Sequence, residues 1–300
     1  MKIGISELFT GSDGRDRGFV RDTAQLLEGL GFNSVWLPEH VVFFPEYRDS
    51  YPYGTQGANE VFATPGLLDP FVVGSSIAAV TERIRIGTYV CVVAQRHPIF
   101  LARDVANLDV LSGGRFEFGI GVGWSSQEFE ALGVPFPHRG RRTDECLVAM
   151  KRLWSGDRLS EHHGEFYEFE PLFAYPKPVQ RPHPPIVVGG NSEATIRRIV
   201  AHGDGWAGYT LTHDEIKAFI DRLAAALEAA GRSLDEITLR IGRRARALSE
   251  EAWEEDARYI EACEALGIHE VVVSPRFPVD GYERMATRYA EIVGITPAVA

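Results

Sequence analysis

His40 ends the run Val35-Trp36-Leu37-Pro38-Glu39-His40, an apolar strand pattern that passes through a proline into an acid and a base. Imidazole exchanges protons near neutral pH, and the carboxylate of Glu39 beside it can bias its charge. A histidine next to an acid in a loop is more often a structural pair than a catalyst, so its meaning depends on its company. Three glycine-bearing segments are candidates for that company. Gly119-Ile120-Gly121-Val122-Gly123-Trp124 has glycine at every second position, which either bares one face of a strand end for a planar ring or fits a crowded barrel interior. Trp124 at its exit can stack on such a ring or plug the top of a barrel. Val187-Val188-Gly189-Gly190-Asn191-Ser192 sets a glycine turn at a helix start, where unbonded N–H groups and the helix dipole suit a phosphate; an ordinary serine cap is the plainer reading. Gly87, inside the apolar run Ile84 to Val93, permits a bulge, a close approach of a flat ligand, or only a twist.

These residues must be positioned by regular elements, and the chain alternates short β-branched runs with longer stretches of helical period. The pattern predicts strands at Ile3 to Leu8, Ser34 to Leu37, Ile84 to Val93, Phe116 to Val122, Ile186 to Val188, Gly205 to Tyr209, Thr238 to Gly242 and Glu270 to Ser274. Helices are predicted at Arg17 to Leu30, Pro70 to Val80, Pro98 to Leu111, Arg139 to Trp154, Ser192 to Ala201, His213 to Ala230, Glu250 to Leu266 and Tyr282 to Val293. Ser192 and Ser249 are expected caps, Pro70 and Pro98 sit in first turns, and Gly31, Gly231 and Gly267 end helices in the left-handed conformation. Eight βα units without GxGxxG after the first strand favour a closed (β/α)₈ barrel, a TIM barrel, over a doubly wound sheet. The expected organisation is one domain over residues 1–300, with insertions at about 41–66, 124–138 and 155–185 decorating the C-terminal face, where barrels build their sites. The first insertion is rich in Phe43, Phe44, Tyr47, Tyr51, Pro52 and Tyr53, which suits either an ordered lid or wall or a surface decoration packed by its own rings. Together with the 155–185 segment it is expected to choose the substrate.

The remaining sequence properties exclude whole classes. A net charge of -11 repels phosphate polymers and anionic membranes, so no nucleic-acid or membrane partner is expected. Cys91, Cys146 and Cys263 are odd in number and widely spaced, which points to free thiols in a reducing compartment, by default the cytoplasm. The chain opens on strand-like Lys2-Ile3-Gly4-Ile5-Ser6, not on a signal peptide, and no run is long enough to span a bilayer. GxSxG, HExxH and GxxxxGK[ST] are absent, and His162-His163 are adjacent where a helical metal site needs i, i+4 spacing. Glu7 and His40 lie near strand ends, as ligands do in barrel metallohydrolases, but the second-strand HxH pair of that style is missing, so no metal is expected.

Several segments, weak singly, together resemble the luciferase-like monooxygenase superfamily and its branch that uses the deazaflavin coenzyme F420. They are Gly31 to His40, Arg83-Ile84-Arg85-Ile86-Gly87-Thr88, Leu108 to Arg115, Gly119 to Trp124, Pro176-Lys177-Pro178-Val179-Gln180, Pro185 to Gly190 and Gly203-Asp204-Gly205-Trp206. The resemblance implies a TIM barrel, often a homodimer, that holds F420, or alternatively FMN, at its C-terminal face and acts on a small-molecule substrate. It places the active-site histidine at His40, with the acidic neighbour, usually Asp, at Glu39. It also implies a non-proline cis peptide at Tyr89-Val90 behind the ring, a ring-edge segment at Gly121, Val122, Gly123 and Gln127, and a phosphate turn at Gly189, Gly190, Asn191 and Ser192. Two departures separate the chain from the sugar-phosphate dehydrogenase branch: Trp124 stands where that branch has a catalytic acid, and Phe44 where it has a stacking Trp. Both are expected to meet substrate. The expected activity is hydride transfer between F420 and a small organic molecule, with His40 giving or taking the proton. The rivals are an FMN-dependent monooxygenase and a non-catalytic flavin- or deazaflavin-binding barrel.

Overall fold

The computed structural model describes residues 1–7, 9, 16–52, 66–244 and 247–297. In chain order the elements are β1 (Lys2–Ser6), α1 (Arg17–Leu30), β2 (Ser34–Leu37), α2 (Pro70–Ala78), β3 (Arg85–Thr88), β4 (Cys91–Val92), α3 (Pro98–Leu111), β5 (Phe116–Gly121), α4 (Ser126–Ala131) and α5 (Arg139–Trp154). They continue with β6 (Ser160–His163), β7 (Glu168–Leu172), β8 (Ile186–Gly189), α6 (Glu193–His202), β9 (Gly205–Tyr209), α7 (His213–Ala229), β10 (Thr238–Arg244), α8 (Glu250–Ala265), β11 (Glu270–Ser274) and α9 (Tyr282–Ile292).

The parallel pairings run β1–β2–β3–β5–β8–β9–β10–β11 and return from β11 to β1, so the sheet closes into an eight-stave barrel. The fold is the expected TIM barrel. Its third stave is made of two pieces, β3 and β4, both paired to β5 and separated by a cis peptide between Tyr89 and Val90. The single run expected at Ile84 to Val93 is therefore interrupted.

Local chemistry sets the helix ends. Asp16 caps α1 by accepting from Gly18 N at 2.8 Å and Phe19 N at 3.1 Å, and Gly31 ends it at φ 95°. Between them Val20, Thr23, Ala24 and Leu27 face inward, each large apolar side chain contributing about 1.5–3 kcal/mol on burial. Pro70 and Pro98 open α2 and α3, Ser192 and Ser249 cap α6 and α8, and Gly231 and Gly267 take positive φ, all as expected.

Side chains alternate across each strand, so every second residue fills the barrel interior. At the lower end Arg240 joins Glu270, through Nε at 2.8 Å, to Glu117, whose other oxygen holds Arg85. Above that layer Trp36 packs with Val187, Ala207, Val272 and Tyr89, and Arg240 lies 5.3 Å from the centre of a Trp36 ring. The outer core is the apolar layer between staves and helices.

Three features depart from expectation. Helix α4 forms within the 124–138 insertion, and β6 and β7 form an antiparallel hairpin inside 155–185. That last insertion follows a helix and leads into a strand, so it lies at the N-terminal end of the barrel, not at the C-terminal face. Val179 N and Gln180 N donate to Asp109 Oδ2 at 2.6 and 2.9 Å, and Gln180 Nε2 donates to the carbonyl of Phe116 at the start of β5. The segment therefore cannot wall a substrate site. Leu8 and Tyr53 fall outside the described residues, as does most of the first βα turn. Among the described residues no helix is long and apolar enough to cross a membrane.

Candidate active site

The extended chain leaving β2 continues the alternation that turns Trp36 into the barrel. His40 accordingly faces the mouth, and Glu39 faces the helix layer. Glu39 is 6% exposed; one carboxylate oxygen accepts from Val92 N at 2.8 Å and the other pairs with the Arg96 guanidinium, which also reaches Asp69. This corrects the reading of Glu39 as the acid that biases His40 and as a cofactor contact. The acid that meets His40 is Glu128 of α4: Oε2 lies 3.2 Å from His40 Nδ1, and Oε1 accepts from Val41 N at 2.7 Å. Glu128 is almost fully buried, and these two contacts occupy both of its carboxylate oxygens. Sequence reasoning passed over Glu128, although Ser125-Ser126-Gln127-Glu128 has the S-x-x-E form of a helix start. Ser125 Oγ does accept from Glu128 N, at 3.4 Å.

The floor of the mouth comes from the third and fourth staves. Gly119, Gly121 and Gly123 face, in order, Thr88, Val90 and Val92: an added Cβ on Gly119 or Gly121 would collide with the Thr88 carbonyl or with Val90 Cγ2, and one on Gly123 would sit 2.8 Å from Val92 Cγ1. The alternating glycines therefore receive the split stave and do not leave a bare face. Val90 is also why Gly189 has no side chain, since a Cβ there would lie 2.7 Å from Val90 Cγ1. Val90 is half-buried and gives the floor an apolar surface. Tyr89 reaches across the interior and donates from its hydroxyl to the Gly208 carbonyl at 2.7 Å. Val122 and Gly123 are likewise half-buried at the β5 exit, and the Gly123 carbonyl accepts from Arg139 Nε at 3.0 Å.

The turn from β8 into α6 has the predicted geometry with a different use of its side chains. Gly190 adopts φ 121°, open to glycine, and a Cβ there would lie 2.7 Å from Thr195 Oγ1. Ser192 and Thr195 form a capping box. Asn191 is spent on structure: its amide donates to Tyr209 O at 3.0 Å and its oxygen accepts from Tyr209 N at 3.2 Å. What the turn offers an anion is the helix N-terminus, not the Asn191 side chain.

An aromatic wall stands over His40. The rings of Trp124 and Phe43 lie 5.9 and 5.7 Å from it, and Tyr47 and Tyr51 pack on Trp124 at 5.3 and 5.5 Å. Trp124 is thus at the mouth, as expected. Phe44 instead packs edge-on against Tyr47 at 5.7 Å, one ring further from the histidine. Burial raises the pKa of the Tyr47 hydroxyl, with the negative charge of Glu128 adding to the rise over a lowering contact from Phe44 N. The Gln127 side chain is used within the protein: Oε1 accepts from Arg48 N at 2.6 Å and Nε2 donates to Glu46 O at 3.1 Å, stitching the first insertion to α4. Across the mouth, beyond the end of β11, Arg276 holds a left-handed φ of 59° and is exposed, a residue that motif reading did not single out. Among the described residues no three His, Cys, Asp or Glu side chains converge as metal ligands would.

Comparison with known proteins agrees with this geometry. The chain is 32% identical over 233 residues to an uncharacterized protein of Mycobacterium tuberculosis, covering 78% of each. It is 28% identical over 250 residues to the FMNH(2)-dependent dimethylsulfone monooxygenase of Pseudomonas putida, covering 82% of this chain and 62% of that one. Among solved structures, the coenzyme F420 dependent tetrahydromethanopterin reductase from Methanopyrus kandleri superposes with a TM-score of 0.74 at 17% identity, covering 98% of this chain and 97% of the other. The family description "Luciferase-like monooxygenase" matches residues 1–290. With the barrel, the split third stave and the histidine at the mouth in place, the chain belongs to the luciferase-like monooxygenase family.

Proposed function

We propose that this protein is an F420-dependent oxidoreductase that transfers a hydride between the deazaflavin and a small organic substrate, with His40 handling the accompanying proton. The observation that carries the reading is the buried Glu128–His40 pair at the exit of β2, together with the half-buried Val90 of the third stave. The residues fit such a cofactor: Val90 backs a planar ring, and the α6 N-terminus beyond Gly190 suits its phosphate. When bound, the deazaflavin supplies a two-electron hydride carrier.

The chain's own part is to place groups and move the proton. Glu128 accepting from Nδ1–H makes Nε2 the basic nitrogen of His40, the atom that takes a proton from an alcohol-type substrate being oxidised or, once protonated, gives one to a substrate being reduced. One hydride and one proton leave or arrive together, so charge and electrons balance. The rings of Phe43, Tyr47, Tyr51 and Trp124 exclude water around that step.

The second reading is an FMN-dependent monooxygenase, favoured by the similarity to the Pseudomonas putida enzyme over 250 residues. Fold does not separate the two. Titration with F420 and with FMN decides: micromolar binding of F420 with no oxygen consumption supports the proposal, and selective binding of FMN with oxygen uptake in its reduced form overturns it. We also propose a homodimer, supported by the exposed Val72, Phe100 and Leu111 on α2 and α3. Sedimentation equilibrium tests it, and a monomer at micromolar concentration overturns it.

A further inference from the structure

Helix α4 carries the partner of His40 and is six residues long. A helix that short does not hold itself, because the cost of nucleation is recovered only over a longer run. Its own cap is a long contact, with Ser125 Oγ 3.4 Å from Glu128 N. On the barrel side it is anchored by Phe129, fully buried in one cluster with Val92, Ala94, Val134 and Phe136. On its other side the first insertion holds it residue by residue. Glu128 meets His40 and Val41 N, Gln127 accepts from Arg48 N and donates to Glu46 O, and Glu130 pairs with the Arg48 guanidinium. The chain over 41–52 has in turn no helix or strand of its own, so each segment owes its shape to the other.

Asp49 completes this grip. Ser126 N and Ser126 Oγ both donate to Asp49 Oδ2, each at 2.6 Å. Ser126 is the first residue of α4, and its N–H is one of those that a helix start leaves without an internal acceptor. A carboxylate there also meets the positive end of the helix dipole. Asp49 thus caps, from another segment, the helix whose third residue is Glu128. Its place in the insertion gives the contact a second effect: Asp49 stands midway between Tyr47 and Tyr51, the rings that pack on Trp124, and Ser126 stands two residues beyond Trp124. One carboxylate therefore registers the aromatic wall and the start of α4 together.

We propose that Asp49 is a positioning residue: by capping α4 it holds Glu128 at His40 Nδ1, so that docking of the first insertion and assembly of the proton-transfer pair are one event. The bond that one ring nitrogen makes decides which nitrogen carries the proton, and Glu128 accepting at Nδ1 keeps it there. With Asp49 gone, the start of α4 loosens, Glu128 withdraws and the proton moves to Nε2, the nitrogen that a free histidine side chain favours in water. The inference rests on the reading of His40 as the proton carrier only for its bearing on catalysis; the effect on the imidazole follows from the geometry.

The His40 tautomer is read from the ring nitrogen shifts of isotope-labelled histidine in the full chain without cofactor, at about pH 8, where a histidine ring can be observed neutral, with H40A to assign the signals. Asp49→Ala, Asp49→Asn and Arg48→Ala are measured beside wild type, with thermal melts to show that all fold. The expected result is Nδ1–H in wild type and a shift to Nε2–H in D49A. D49N, whose amide oxygen still accepts from Ser126, should keep most of the wild-type state. R48A should keep all of it, since it removes one exposed ion pair and leaves the backbone N–H that Gln127 holds. An unchanged tautomer in D49A overturns the positioning role. An equal shift in R48A assigns the effect to general loosening of the insertion and overturns it too. F420 and FMN are titrated into wild type in parallel: a protein that binds neither yet shows the shift in D49A defeats the oxidoreductase reading and leaves the positioning role standing.

Discussion

Val90 occupies, with its Cγ2 methyl, the space that a side chain on Gly121 would take. Gly121→Ala therefore cannot be accommodated without moving the split stave, and it should cost about 1–3 kcal/mol, the range for overpacking a close-packed interior. Val90→Ala removes the obstructing methyls, so the double variant should recover most of that loss. Denaturant midpoints of the four proteins in the cycle check this; strictly additive losses would show that the two residues do not compete for the same space.

His40→Ala should fold and bind cofactor as wild type does while turnover falls by a factor on the order of 10², the usual weight of a proton-transfer group. Steady-state turnover beside equilibrium cofactor titration reads the two effects separately. Undiminished turnover would remove the imidazole from the mechanism.

Glu128 acts through His40, so its effect should be contained within that of the histidine. Glu128→Gln keeps an oxygen for Val41 N while losing the charge that orients Nδ1–H, and turnover should drop by about tenfold. The double variant H40A/E128Q should be no slower than H40A alone. Independent, multiplying losses would mean that Glu128 has a role of its own.

Inside the barrel Arg240 lies between Glu117 and Glu270, and Glu270 also accepts from Asn33 Nδ2 at 2.7 Å and Ser34 Oγ at 2.5 Å. Arg240→Met removes the cation that joins two buried carboxylates, leaving Glu117 with Arg85 and Glu270 with its neutral donors, and should destabilise by about 3 kcal/mol. A triple variant that also neutralises them, with Glu117→Gln and Glu270→Gln, should regain part of it. Chemical denaturation measures both, and a neutral R240M would show that the carboxylates find other partners.

Glu28 near the end of α1 accepts from the N–H groups of Glu82, Arg83 and Ile84, at 3.0, 2.6 and 2.8 Å. Burial raises its pKa, but the hydrogen bonds together outweigh it and the net shift is downward. A carboxylate whose folded pKa is depressed adds stability above its unfolded pKa and loses it as pH falls through the folded value. Glu28→Gln should therefore cost about 1–2 kcal/mol at pH 7, discounted for its partial exposure, and progressively less below pH 4.5. Stability curves of both proteins from pH 7 to pH 3 test this; a pH-independent difference would mean that the charge is irrelevant.

How much of this could be read from sequence divides along physical lines. Helices α3 and α5 run over the predicted residues because prolines, apolar period and charge placement agree locally. Gly31, Gly231 and Gly267 were legible for the same reason, since a left-handed helix end needs glycine wherever it occurs. The hairpin of β6 and β7 was not, because Ser160-Glu161-His162-His163 is polar and pairs outside the barrel. At the site, the histidine was legible and its partner was not. His40 and Glu128 are 88 residues apart, and only the closed barrel brings the β2 exit beside α4. Glu39 was misjudged by adjacency: neighbours in an extended chain point to opposite sides, so sequence proximity to His40 was evidence against contact. Asn191 and Gln127 have side chains that suit a ligand, yet backbone groups of Tyr209 and of the first insertion use their hydrogen-bonding capacity.

The same alternation bears on how this segment can vary in length. Inserting or deleting one residue between Trp36 and His40 would leave the composition almost untouched and exchange the two sides of the wall. The imidazole would turn toward Arg96 among the helices, and the Glu39 carboxylate would enter a mouth that already holds Glu128. A change of two residues would restore the facing and carry the ring past the shelf at Val90. The four-residue spacing from Trp36 to His40 is thus a ruler, and a lineage that keeps this chemistry can replace residues along it more freely than it can add or remove one.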